Sequence, residues 1–254
     1  MKNYNPINKS NRSRSVVVLS TLIVLVFLSA WRITDSSKST SKSVLAGDPK
    51  KIEKLKIPAG FKVEHLYSPS ENKQGSWVGM TWDDKGRMIA ADQYGALYRL
   101  VIPKIGESGN IKVDKLVVGG DPSKLGMGYA QGVLFAFNSL YVSVNHNGNE
   151  EFEGKSGIYR LQDTNGDDQF DKVTLIKPLP GPGGEHGPHS LVLTPDKKSI
   201  LVVAGNHTDV PKMDVYKTLP VWKEDNLLPL IKDPRGHAAN RMAPGGWIAK
   251  MDSE

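Results

Sequence analysis

The chain has 254 residues, 39% of them hydrophobic, no cysteine and a formal net charge of +6, enough for one large domain or two small ones. Without cysteine it forms no disulfide, no thiolate zinc site, no CxxCH haem attachment and no lipobox anchor. The positive charge sits at one end: residues 1–56 hold 11 Lys and Arg against 3 Asp and Glu, leaving 22 against 24 for residues 57–254. That near-neutral body carries no basic stripe interleaved with aromatics, which disfavours nucleic acid as a partner.

At the amino end Lys9, Arg12 and Arg14 precede VVVLSTLIVLVFLSAW, residues 16–31, which is uncharged until Arg32. As a helix this stretch would span roughly 24 Å, short of a bilayer core of about 30 Å. Length and basic flank fit a secretory signal, but Leu28 and Ala30 make only half of a small-x-small cleavage pattern, so an uncleaved anchor is the alternative. Residues 1–33 are therefore read as a signal peptide or an N-terminal membrane anchor, a hydrophobic helix that puts the rest outside the cytoplasm, in the periplasm or at the cell surface. Residues 34–54, with TDSSKSTSKS at their start, read as a flexible polar linker.

Residues 55–254 form the globular part. The helical period is almost absent, and short β-rich runs recur between Gly, Asp, Asn and Pro. Three stretches overlay. The first has strands at 78–82 and 87–91 and then Gly95-Ala96-Leu97-Tyr98-Arg99-Leu100. The second has 131–136, 140–144 and Gly157-Ile158-Tyr159-Arg160-Leu161. The third has 190–194, 199–204 and Gly246-Trp247-Ile248-Ala249-Lys250-Met251. Each third strand reads glycine, apolar residues, a cation, an apolar residue. Fourth strands are predicted at 111–118 and 173–177. A period of roughly 50–60 residues with four short strands predicts an all-β fold of the β-propeller type; a β-sandwich with chance similarity is the alternative. About three units are present and the third lacks a fourth strand, so an incomplete propeller, the front part of a longer protein, is the expectation.

In an up-and-down sheet, the loop entering strand one and the loop joining strands two and three share a face. Glu185, His186 and His189 lie in the Gly- and Pro-rich loop entering the third unit. Asn206 and His207 follow its second strand, Asn145 and His146 follow that of the second unit, and Asp92-Gln93-Tyr94 that of the first. Four of the six histidines are thus predicted to gather at one end. The long segment 209–245 would lie over it as a lid, with Arg235, His237, Asn240 and Arg241 available to an anionic ligand.

On the opposite face, Asp163-Thr164-Asn165-Gly166-Asp167-Asp168-Gln169-Phe170-Asp171 offers Asp163, Asn165, Asp167, Gln169 and Asp171 as oxygen ligands for calcium. Asp168 replaces the sixth-position glycine of an EF-hand loop, and Thr174 stands in place of its closing glutamate. A solvated acidic hairpin is the plain alternative; a bound calcium there would act as a staple rather than a catalytic metal.

IPAGFKVEHLY, GALYRL, DTNGDDQFDK, GEHGPHSLVLTPD with VVAGNH, and HAANRMAPGGWIAKMD together resemble the front half of bacterial extracytoplasmic six-bladed propellers known as membrane-bound or haem-binding dehydrogenases. These are distant relatives of soluble pyrroloquinoline quinone (PQQ) glucose and sorbosone dehydrogenases, within the TolB-like group of propellers. The resemblance covers about residues 55–254. It implies that His186, five residues before Leu191 with Pro195-Asp196 behind, is the base that takes a substrate hydroxyl proton. It also implies PQQ, calcium from later blades, a sugar or alcohol substrate, and a c-type haem domain or cytochrome as electron acceptor. The remaining candidate binding residues are Glu185, His189, Asn206, His207, Asn145, His146, Arg235 and Arg241. A periplasmic quinoprotein-like dehydrogenase is therefore the leading expectation. A glycan- or partner-binding propeller beside a haem domain, and a calcium-dependent lactonase-type hydrolase, are the alternatives.

Overall fold

The computed structural model describes residues 44–45, 51–104, 110–146, 154–215 and 246–253. All of these belong to the second of two compact units, Ser41–Glu254. The apolar segment 16–31 lies outside them; among the described residues no helix is long and apolar enough to cross a membrane.

The described chain is all-β apart from a 3-10 turn at Ser70–Asn72. The first sheet contains β1 (Val44–Leu45), β2 (Trp77–Trp82), β3 (Met88–Asp92), β4 (Leu97–Val101) and β5 (Asn110–Lys115), in the order β1-β5-β4-β3-β2. The second is β6 (Ala130–Ala136), β7 (Ser139–Val144), β8 (Gly157–Gln162) and β9 (Lys172–Pro178), and the third is β10 (Pro188–Leu193), β11 (Ile200–Ala204) and β12 (Trp247–Met251), each in sequence order. Every named pair is antiparallel. Part of the stretch read as linker is ordered into the first sheet, since Val44 pairs with Ile111 and Leu45 with Asn110. Two residues with no further hydrophobic pattern gave no sequence signal for that edge strand.

The sheets repeat one local device. The register of strand one slips between Trp77 and Gly79, between Ala130 and Gly132, and between Pro188 and Ser190, a bulge at the same place in each unit. Next to it, one backbone hydrogen bond recurs: Gln93 N–H to Ser76 O at 2.9 Å, Asn145 N–H to Tyr129 O at 3.0 Å, and Gly205 N–H to Gly187 O at 3.0 Å. The bulged strands also touch each other in sequence. A Cβ on Gly79 would lie 3.1 Å from Gln131 O, and one on Gly132 would overlap His189 O. A glycine at both places lets the next strand's bulged carbonyl approach its backbone.

The core lies between the sheets. Strand β7 is buried at all six positions, with Leu140, Val142 and Val144 in one cluster beside Ile89, Leu97 and Leu161, and Tyr141 in a second beside Ile158, Leu191 and Ile200. A strand covered on both faces reads as a near-continuous apolar run, and SLYVSV does. The outer side of the first sheet is covered by the preceding segment, where Tyr67, Trp77 and Tyr98 stack at ring distances of 5.3 and 5.5 Å. Three antiparallel meanders joined through their first strands are consistent with a β-propeller-like fold.

Candidate functional site

The loop after β9 turns on Gly181, Gly183 and Gly184, all at positive φ, where a side chain would be strained. Two anchors hold it. From the second sheet, the Asn145 amide clamps Gly184, accepting from its N–H at 3.0 Å and donating to its carbonyl. From the third sheet, His207 N–H donates to His186 O at 2.9 Å and Asp209 N–H to Pro180 O at 2.8 Å. Gly187 lies against Asn145 and Gly205 against the His186 carbonyl so closely that a Cβ on either would overlap its neighbour.

Within this frame His186 Nδ1 lies 2.8 Å from Asn206 Oδ1. With that oxygen as acceptor, Nδ1 carries the proton and Nε2 is the nitrogen bearing the lone pair. The His207 ring lies beside it, centroids 5.0 Å apart and planes tilted by 31°. Glu185 is exposed, whereas His186, Asn206 and His207 are half-buried. His189 is the bulged residue of β10, half-buried, its carbonyl against Gly132.

His146 belongs to the same end, next to the Asn145 clamp, but is a packing residue. It is 6% exposed, its Nδ1–H donates to Gly154 O at 2.8 Å, and its ring lies 4.1 Å from that of Tyr129. Tyr129 has a φ of 56°, a left-handed conformation that costs a bulky residue about 1–2 kcal/mol. It enters the bulged strand of the second unit, and Tyr94 stands edge-on to it at 5.6 Å and 71°. Gln131, the bulged residue of β6, reaches the carbonyl of Gln93 at 3.4 Å. Tyr129 and Gln131 were not singled out from the sequence. Aligning the units on the glycine or serine after each bulge finds Gln131 opposite His189; the left-handed Tyr129 has no sequence signal.

Arg235, His237, Asn240 and Arg241 lie outside the described residues. All three described arginines, Arg87, Arg99 and Arg160, stand at the other end of the sheets, bonded to Asp83, Asp168 or Ser139. The described part of the histidine end therefore offers no guanidinium to the carboxylates of a PQQ-type quinone, and no step is assigned to that group.

The acidic loop between β8 and β9 is closed on itself. Asp163 accepts from Gly166 and Asp168 N–H at 2.7 and 2.9 Å, Asn165 from Asp167 N–H at 3.0 Å, Asp167 from Gln169 N–H at 2.9 Å, and Asp171 from Thr164 N–H at 2.6 Å. Gln169 Oε1 faces the first sheet instead and accepts from Val117 N–H at 2.8 Å. Among the described residues no three His, Asp or Glu side chains are gathered as a metal would need. The residue that works hardest here is Asp168, at φ 68°, whose carboxylate meets Arg87 and Arg99, and Lys85 at 2.8 Å. Its hydrogen bond to Arg87, ahead of burial, which opposes the shift, holds its pKa well below the usual carboxylate range. The neighbouring Arg99 is lowered by burial first and by Arg87 second.

No family model matches this chain, and no curated protein matches it.

Proposed function

We propose that this chain carries the proton-accepting site of an extracytoplasmic dehydrogenase, built on a six-bladed β-propeller, that oxidises a hydroxyl group of a sugar or alcohol. The observation that carries the reading is the His186–Asn206 hydrogen bond, 2.8 Å long. It orients the ring with its basic nitrogen, Nε2, away from Asn206, on a loop pinned from two sheets. Oxidation of a carbinol removes a proton from oxygen and a hydride from carbon. His186 Nε2 would take the proton; the hydride would need a separate two-electron acceptor, for which the described residues supply no binding groups. A base held in place contributes about 10²–10⁴ in rate. The extracytoplasmic assignment rests on the basic-flanked apolar segment 16–31.

The test is dye-linked oxidation of sugars and alcohols by the full protein supplied with PQQ and calcium. His186→Ala is expected to lower kcat by about two to four orders of magnitude while far-UV circular dichroism stays unchanged. Undiminished turnover in that variant, or no oxidation by the wild type, rejects the reading.

A further inference from the structure

We propose that Tyr94, Tyr129 and Gln131 form a sugar-ring platform at the histidine end. This narrows the substrate class of the reaction proposed above and rests on that reading for the chemistry, though not for the binding. Tyr94 follows β3 and is 60% exposed. Its ring meets that of Tyr129 edge-on, and Tyr129 in turn lies against the buried His146 ring at a tilt of 52°. The exposed ring thus has a second aromatic side chain at its edge, and that one in turn has a buried ring beside it. Gln131 brings an amide next to it through its bond to Gln93 O.

The platform and His186 are tied to the same residue. Asn145 N–H donates to Tyr129 O at 3.0 Å, and the Asn145 side chain clamps Gly184, two residues before His186. Tyr129, which meets the edge of Tyr94, and the loop that carries His186 are therefore anchored on one residue. A pyranose suits such a surface: one face presents C–H groups to an aromatic ring and the rim presents hydroxyls to polar groups. A flat quinone suits it less. Tyr94 and Tyr129 meet at 71°, so they form no parallel slot, and the described arginines stand at the opposite end.

Binding can be measured without turnover. The full protein is titrated with D-glucose, D-galactose, D-mannose and D-xylose by calorimetry, and the bound sugar's contact protons are read by saturation-transfer NMR. At least one sugar is expected to bind with saturation transfer strongest at the ring C–H protons. Tyr94→Ala should weaken it tenfold or more, and Tyr94→Phe should keep it within about threefold. Trp82→Ala, which removes another exposed aromatic at the far end of β2, should leave binding unchanged. Binding by none of the four sugars, or equal affinity in Tyr94→Ala, overturns the platform. So does PQQ binding that depends on Tyr94 while the sugars do not bind. Sugar binding lost in Tyr94→Ala in a protein that oxidises nothing would sink the dehydrogenase reading and leave the platform standing. Oxidation with unaltered KM in Tyr94→Ala would do the reverse.

Discussion

With Nδ1 bonded to Asn206 Oδ1, His186 acts as a base through the lone pair on Nε2, and the Asn206 side chain favours that tautomer. Asn206→Ala should release the choice. The expected result is a kcat loss of about tenfold to a hundredfold, smaller than that of His186→Ala. In ¹⁵N NMR the His186 signals should move from one defined tautomer to a mixture. Asn206→Ser, which keeps a short acceptor, should recover part of both. A kcat loss with unchanged imidazole shifts would mean that Asn206 touches the substrate instead. Neither residue's place was hidden: both stand in polar, Gly-flanked loops beside predicted strands. The sequence was silent on their pairing, because 20 residues and two strands separate them.

Strands are held to strands here by missing side chains as much as by present ones. Gly132 lies against the His189 carbonyl of the next sheet, so Gly132→Ala must push β6 from β10. A loss of about 1–3 kcal/mol is expected in urea unfolding. An exposed alanine such as Asn138→Ala, on the turn between β6 and β7, should also change stability, but through its positive φ of 50° rather than through contact. The acidic loop works by charge. Its Asp168 has a depressed folded-state pKa, so its stabilisation is complete above the unfolded value of about 3.9 and is lost as pH falls below it toward the folded value. Wild-type stability should therefore drop below pH ~4, and Asp168→Asn should be less stable at pH 7 and flatter across that window. Because the carboxylate is partly exposed, a difference of about 1 kcal/mol is expected at neutral pH, read by thermal unfolding at pH 7 and pH 3. The five oxygen donors of this loop were legible as a pattern. Their use was not, since Asx-type turns and cation sites draw on the same residues.

Across the whole described unit, β6 and β7 face both neighbouring sheets, so the two inter-sheet clusters share strands. Leu140, fully buried in the first cluster, should cost about 2–5 kcal/mol when changed to alanine. Fluorescence from Trp77 and Trp82 in the first sheet and Trp247 in the third should then shift together with the circular dichroism. Separate transitions would show that the sheets unfold independently. The strand pattern by itself determined a good deal: which residues form the three meanders, where their turns fall, and that the histidine loops and the acidic loop occupy opposite ends. Those follow from period-two alternation and turn chemistry, which act over a few residues. Only the tertiary structure decided that His146 is packing while His186 is oriented, that Asp168 bridges to the arginines of another sheet, and that Tyr94 and Tyr129 meet. Each of those contacts joins residues far apart in the chain, and no local preference encodes which distant side chain a folded sheet will bring alongside.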